Sequence, residues 1–166
     1  MKNKIYLLLQ FLFILIVASY DGVAFAENAF SIEEPLEHQT TIPASILSEL
    51  GKKIDLKQNG CTENEIHETL EATKINLTPS LNHILVKPKA FCICGANYCP
   101  VWIYQISKKT TKLVWSSPGT SYVQILDKKN RRYKQIREGG GTAGHDYQAT
   151  WTWNGKKYIQ TKTAQE

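Results

Sequence analysis

The chain has 166 residues, room for one domain but not for two ordinary ones. Its 42% hydrophobic and 21% charged residues describe a globular protein and exclude collagen, coiled-coil and low-complexity arrays. Twenty Lys and Arg against 15 Asp and Glu give a formal charge of +5, too modest to point to nucleic acid.

Residues 1–26 read as a secretory signal peptide. Lys2 and Lys4 supply the positive start, Ile5 to Ala18 is apolar except for Gln10, and Ala24-Phe25-Ala26 is a small-x-small cleavage site. The apolar run of 14 residues is short of the about 20 needed to span a bilayer, and Asp21 follows it. The expectation is an exported chain, periplasmic or secreted, starting at Glu27, with no stable membrane insertion after cleavage. Its charge is divided unevenly. Residues 27–100 hold 6 basic and 10 acidic groups; residues 101–166 hold 12 and 4. A net +8 half suits an anionic partner.

Residues 27–41 carry Glu33, Glu34 and Glu37 and are expected to form a flexible acidic leader. Residues 42–166 are expected to form a single disulfide-bearing domain. Thr41 to Ile54 predicts a helix: Pro43 suits the first turn, and Ile46, Leu47, Leu50 and Ile54 share a face. A second helix is expected from Thr62, whose capping box closes at Glu65, to near Ala72.

The period then changes from helical to alternating. Lys74–Thr78, Asn82–Val86, Val101–Ile106, Lys112–Ser116, Tyr122–Leu126 and Tyr133–Arg137 are predicted strands. Pro79-Ser80, Gly95-Ala96-Asn97, Lys108-Lys109, Ser117-Pro118-Gly119 and Lys128–Arg131 are the predicted turns. Their close spacing argues for an antiparallel meander. Gly139-Gly140-Gly141-Thr142-Ala143-Gly144 reads as a mobile connector. It lacks the Lys-Ser/Thr pair of a phosphate loop. Thr150-Trp151-Thr152-Trp153, Asn154-Gly155 and Lys156–Gln160 predict a hairpin with a type I′ turn at Asn154-Gly155. Alternation puts Trp151 and Trp153 on one face, either in the core or on a recognition surface.

The four cysteines are Cys61, Cys92, Cys94 and Cys99. An even number in an exported chain reads as two disulfides. Gly95-Ala96-Asn97-Tyr98 can turn tightly enough to join Cys94 to Cys99, which leaves Cys61 with Cys92. The C-x-C-x4-C spacing is not a common zinc arrangement. No cofactor or metal is expected. The histidines have no ligand-like spacing, and carboxylates are too sparse in the second half for a glycosidase pair. No catalytic residue is assigned; a small hydrolase using His145 is the enzymatic alternative.

One resemblance rests on Ile84-Leu85-Val86, Cys94-Gly95, Asn97, Cys99, Val101-Trp102-Ile103-Tyr104 and the closing Trp151-x-Trp153-Asn154-Gly155-x-x-Tyr158. The pattern resembles a loose group of small exported bacterial proteins, similar to single blades of FG-GAP-type β-propellers. The group has no uniform activity. The resemblance implies a β-rich exported domain. Thr78-Pro79-Ser80-Leu81-Asn82 stands where the acidic calcium loop of such repeats would lie, so no calcium site is implied.

The expected architecture is α+β, with one or two N-terminal helices on an antiparallel meander of five to seven strands. Its core should include Ile75, Leu77, Leu85, Val101, Ile103, Val114, Val123 and Ile125. The expected function is binding: an inhibitor or immunity factor against a cell-wall hydrolase or toxin. The partner would be an envelope protein or an anionic cell-wall polymer. The candidate contact residues are Lys128, Arg131, Arg132, His145, Trp151, Trp153, Lys156 and Lys157. A structural component of an envelope assembly is the other non-catalytic reading.

Overall fold

A computed structural model describes residues 28–165 apart from 58, 62–65, 90 and 143–144. The expected signal peptide and the Thr62/Glu65 capping box lie outside the described residues. Two helices and nine strands are present among them. They run β1 (Ala29–Ser31), α1 (Ala44–Gly51), α2 (Ile66–Thr69), β2 (Leu70–Ile75), β3 (Asn82–Pro88), β4 (Cys99–Ile106), β5 (Thr111–Thr120), β6 (Tyr122–Asn130), β7 (Tyr133–Thr142), β8 (His145–Trp153) and β9 (Tyr158–Gln165). A short 3₁₀ turn, Phe91–Ile93, precedes β4.

The α+β class and the meander are as expected, but the meander is folded into two sheets. The first has the order β2-β3-β4-β5, the second β1-β6-β7-β8-β9, and every pair is antiparallel. Alternation explains the layering. In β3, Leu85 faces the second sheet, while Ile84 and Val86 face α1. Leu77, Val101, Ile103 and Trp115 meet Val123, Ile125, Ile136, Trp153 and Tyr158 between the sheets. Ile46 and Leu50 of α1 bury against Leu70, Ala72 and Tyr104 on the outer face of the first sheet. Of the expected core, only Ile75 is less than fully buried.

Both disulfides are present, Cys61–Cys92 and Cys94–Cys99, with Cα separations of 5.1 and 4.3 Å. The first closes a loop of sequence separation 31, the second one of 5. On a chain-entropy scale they contribute about 4 and about 2 kcal/mol. Among the described residues no helix is long and apolar enough to cross a membrane.

Residues 28–41 are not a loose leader. β1 pairs with β6, Ile32 and Leu36 are buried, and Gln39 bridges to Thr73 of β2. The anchor is a buried ion pair, Lys87 Nζ to Glu71 Oε1 at 2.7 Å, between register partners of β3 and β2. Glu71 also accepts from Leu36 N–H and from Gln39 Nε2 at 3.0 Å. Lys87 donates to the Ile32 carbonyl at 3.3 Å.

Four local expectations are corrected. The second helix ends at Thr69 rather than near Ala72, because Leu70 and Ala72 pair with Pro88 and Val86 and bury against α1. Ser117-Pro118-Gly119 lies inside β5, beside the irregularity between Cys99 and Val101 that lets a proline sit in a strand. Gly139, Gly140 and Gly141 are strand residues opposite Gln148, Tyr147 and Asp146. Finally, the last hairpin has a four-residue connection with Trp153 opposite Tyr158. Asn154 Oδ1 accepts both Lys156 N–H and Lys157 N–H at 2.9 Å, and only Gly155 of the Asn154-Gly155 pair has positive φ, 106°.

Replacing Lys87 by Met leaves Glu71 buried without its cation and should cost about 3–5 kcal/mol. Urea unfolding measures it. The double substitution Glu71→Met, Lys87→Met should recover only part of that loss, since Leu36 N–H and Gln39 lose their acceptor.

Candidate functional site

In an antiparallel meander every second turn falls at the same end. Here the turns joining β4 to β5, β6 to β7 and β8 to β9 share one end, and each is basic. The first carries Lys108 and Lys109, with Lys112 just inside β5. The second carries Arg131 and Arg132, flanked by Lys128, Lys129 and Lys134. The third carries Lys156 and Lys157. Contacts within the second sheet and across to the first hold these turns together. Lys112 Nζ donates to the Lys156 carbonyl at 3.3 Å and sits 6.0 Å from the Trp153 ring centroid. Arg131 Nη1 donates to the Asn154 carbonyl at 2.7 Å, and Asn130 Nδ2 to the Trp153 carbonyl at 3.1 Å.

Among the described residues, one of these cations is held by a carboxylate: Lys134 Nζ lies 2.8 Å from Asp127 Oδ1. That hydrogen bond holds the exposed Asp127 carboxyl below the usual carboxylate range. Lys128, Arg131, Arg132, Lys156 and Lys157 are exposed. The result is a cationic end that draws anions.

The β6–β7 turn is unusual in its backbone. Asn130 and Tyr133 are register partners, so Arg131 and Arg132 form a two-residue connection. Their φ values are 49° and 70°. Paired positive φ belongs to a type I′ turn, normally Asn-Gly, which the sequence suggested for Asn154-Gly155 instead. Two arginines in the left-handed region cost about 1–2 kcal/mol each.

The other candidates are placed differently. Trp153 is buried and stacks on Tyr133 at 4.2 Å between ring centroids; Tyr158 meets both rings edge-on. Trp151 is half-buried, edge-on to Trp115, and donates Nε1 to Glu138 Oε1 at 2.8 Å. The two tryptophans do share a face, and it is the face packed between the sheets. They support the cationic end from beneath. His145 opens β8, opposite Thr142, at the far end of the strand from Trp153. Eight residue steps put these backbones roughly 27 Å apart. The His145 side chain is outside what the structure describes. Lys112 and Asn130, absent from the sequence-derived set, help assemble the site; strand parity was the signal that could have found them.

His83 and Glu138 are also buried between the sheets. His83 is 1% exposed, edge-on to Tyr133 at 6.0 Å, and neither ring nitrogen has a well-formed hydrogen bond. Burial pushes its pKa down to about 4, against a smaller opposing effect of the Leu81 backbone. The imidazole is therefore neutral at pH 7. Burial raises the Glu138 carboxyl, offset in part by hydrogen bonds from Ser117 and Trp151. No protein family, curated protein or solved structure matches this chain.

His83 sets a pH dependence with a definite sign. Between pH 6.5 and 4 the unfolded chain carries a proton that the folded one excludes. Stability therefore falls as pH drops through that window, by about 2–3 kcal/mol from this group. His83→Leu should remove that part of the slope. Unfolding free energies at pH 7.5 and 4.5 give the comparison; equal slopes for parent and variant would refute the assignment.

Proposed function

We propose that the protein is an exported, non-catalytic binding module whose cationic end docks on an acidic surface of an envelope protein, as an inhibitor or immunity factor against a cell-wall hydrolase or toxin would. One observation carries the reading: three basic turns distant in sequence meet at one end, and among the described residues nearly all their charges are left without a carboxylate. The meander brings the turns to one end; it does not require all three to be basic. Like charges brought together repel, and the Arg131-Arg132 backbone adds strain. Both costs make sense where a partner supplies the missing anions. Arg is also a common anchor of protein interfaces, because its guanidinium binds carboxylates in a bidentate fork.

Export is supported by the signal-like start of the sequence and by two disulfides, which persist in oxidising compartments. A protein surface is favoured over a flexible polymer by the fixed geometry of the end. The turns are tied to one another through Arg131, Asn130 and Lys112, and rest on stacked aromatic rings. Such preorganisation lowers the entropy lost on binding a rigid partner.

The test exploits the strain. Arg131→Asn with Arg132→Gly suits a type I′ turn and should raise stability by about 1–2 kcal/mol. The same pair should lower partner affinity by about tenfold or more, and the remaining affinity should depend less on salt. The oxidised 27–166 chain is used as bait on envelope extracts, and the captured protein is then titrated with parent and variant. A variant that is more stable and binds the same protein equally well would sink the proposal. Retention on peptidoglycan or lipopolysaccharide, with no protein captured, would replace the protein partner by a polymer.

A further inference from the structure

The opposite end of the sandwich holds a second feature, independent of the basic turns. β7 runs through Gly139, Gly140 and Gly141, three consecutive strand residues without side chains. Glycine weakens a strand, so a run of three is a standing cost. The structure shows what occupies the space. A Cβ on Gly139 would lie 2.6 Å from Tyr122 Oη, and one on Gly140 would lie 2.5 Å from the Tyr98 ring and 2.6 Å from Ser121 Oγ. A Cβ on Gly141 would collide with the Asp146 carboxylate. The glycines let polar and aromatic groups of β6, β8 and the Cys94–Cys99 loop close in on bare backbone.

The result is an open trough of about 380 Å³. Its lining includes Tyr122, Tyr147, Asp146, Gln148 and Ser121 over the floor of Gly140 and Gly141. The volume is within the range of small-molecule sites. The walls are braced. Gln148 Nε2 donates to Tyr122 Oη at 2.9 Å, Tyr147 Oη donates to the Gly119 carbonyl at 2.9 Å, and Ser121 Oγ donates to the Asn97 carbonyl at 2.8 Å. Tyr98, from the disulfide loop, lies with its ring 6.1 Å from that of Tyr147. Free hydrogen-bonding capacity remains. The Tyr122 hydroxyl can still donate, Gln148 keeps its carbonyl oxygen and a second N–H, and Asp146 is exposed.

We propose that this trough is a saccharide-binding site for a neutral pyranose unit. A pyranose has C–H faces that match tyrosine rings and a hydroxyl edge that needs both donors and acceptors. Tyr122 supplies the ring surface, and Asp146 and Gln148, on the same face of the sheet, the paired acceptors and donor; Tyr147, opposite Gly140, turns its ring to the other face and braces the floor from behind. Among the described residues the lining contains no Lys or Arg and one carboxylate, which disfavours anionic ligands such as phosphates and acidic sugars. Its polar content disfavours an acyl chain. Placing a sugar site at the end opposite the cationic turns leaves both free to be occupied together.

The experiment titrates the oxidised 27–166 chain, ¹⁵N-labelled, with N-acetylglucosamine trisaccharide, cellotriose and maltotriose, with sialyllactose and tetramethylammonium as comparison ligands. Saturable shifts from at least one neutral saccharide, centred on Tyr122, Gly140, Gly141 and Gln148, are expected. Tyr122→Ala and Asp146→Asn should each weaken that binding about tenfold. Should Tyr122→Ala fail to fold, Asp146→Asn and Gln148→Ala decide the question, since both positions are exposed. The proposal is overturned if no neutral saccharide binds, if shifts fall elsewhere, if affinity survives these substitutions, or if tetramethylammonium binds in preference.

Discussion

The fold depends on the ion pair between Glu71 and Lys87. Both side chains are almost wholly buried, at 1% and 3% exposure, so neither can be left without the other. Desolvating two charges is expensive, and their attraction alone does not offset it. The surrounding hydrogen bonds do the rest. Glu71 takes the Leu36 N–H and the Gln39 carboxamide, and Lys87 reaches the Ile32 carbonyl. Those partners all belong to one segment. It begins as β1 in the second sheet, crosses to the edge of the first at Gln39, and continues into α1 on the far face. The pair therefore fixes the strap that ties three layers, and through them the alignment of the two sheets.

That alignment gives the molecule its two ends. With the sheets held in register, the β4–β5 hairpin of the first meets the two hairpin turns of the second. Lys112 can then touch Lys156 across the gap. At the other end, the Cys94–Cys99 loop reaches Gly140 and Ser121 by the same geometry. A small shift of one sheet along the other would separate the basic turns and pull Tyr98 off the glycine strand. The aromatic stack of Tyr133, Trp153 and Tyr158 resists it from inside, with ring planes both parallel and crossed.

Much of this was legible in the sequence where local chemistry decides. Alternation located β3 to β8, although the strand expected at Lys74–Thr78 overlaps β2 only at Lys74 and Ile75 and β1 was not foreseen; the spacing of Cys94 and Cys99 around a Gly- and Asn-bearing turn gave the pairing found. Glu71 was illegible because a lone carboxylate beside Leu70 and Ala72 looks the same whether it meets water or a buried lysine. The acidic segment before α1 was misread for the same reason: Ile32 and Leu36 are too few to show a buried strap. Gly139–Gly141 read as a connector because the partners that explain them, Tyr98, Tyr122 and Asp146, are remote or on other strands. Asn154-Gly155 carries the type I′ signal, yet the strained turn is at Arg131-Arg132, where pairing of Asn130 with Tyr133 overrides preference.

Local preference and global structure disagree most at the two ends, and in opposite senses. At the basic end, side chains stand where the backbone would prefer glycine. At the other, glycines stand where a strand would prefer side chains. A sequence selected only for folding would exchange them, with Asn-Gly in the β6–β7 turn and β-branched residues along β7. Between the ends, Leu85, Val101, Ile103, Val123, Ile125 and Ile136 obey both alternation and burial, and the charged exceptions there, Glu71 and Lys87, answer each other. The departures of backbone preference thus fall at the two ends. On the two readings proposed above, these ends are where function, rather than stability, has chosen the residues.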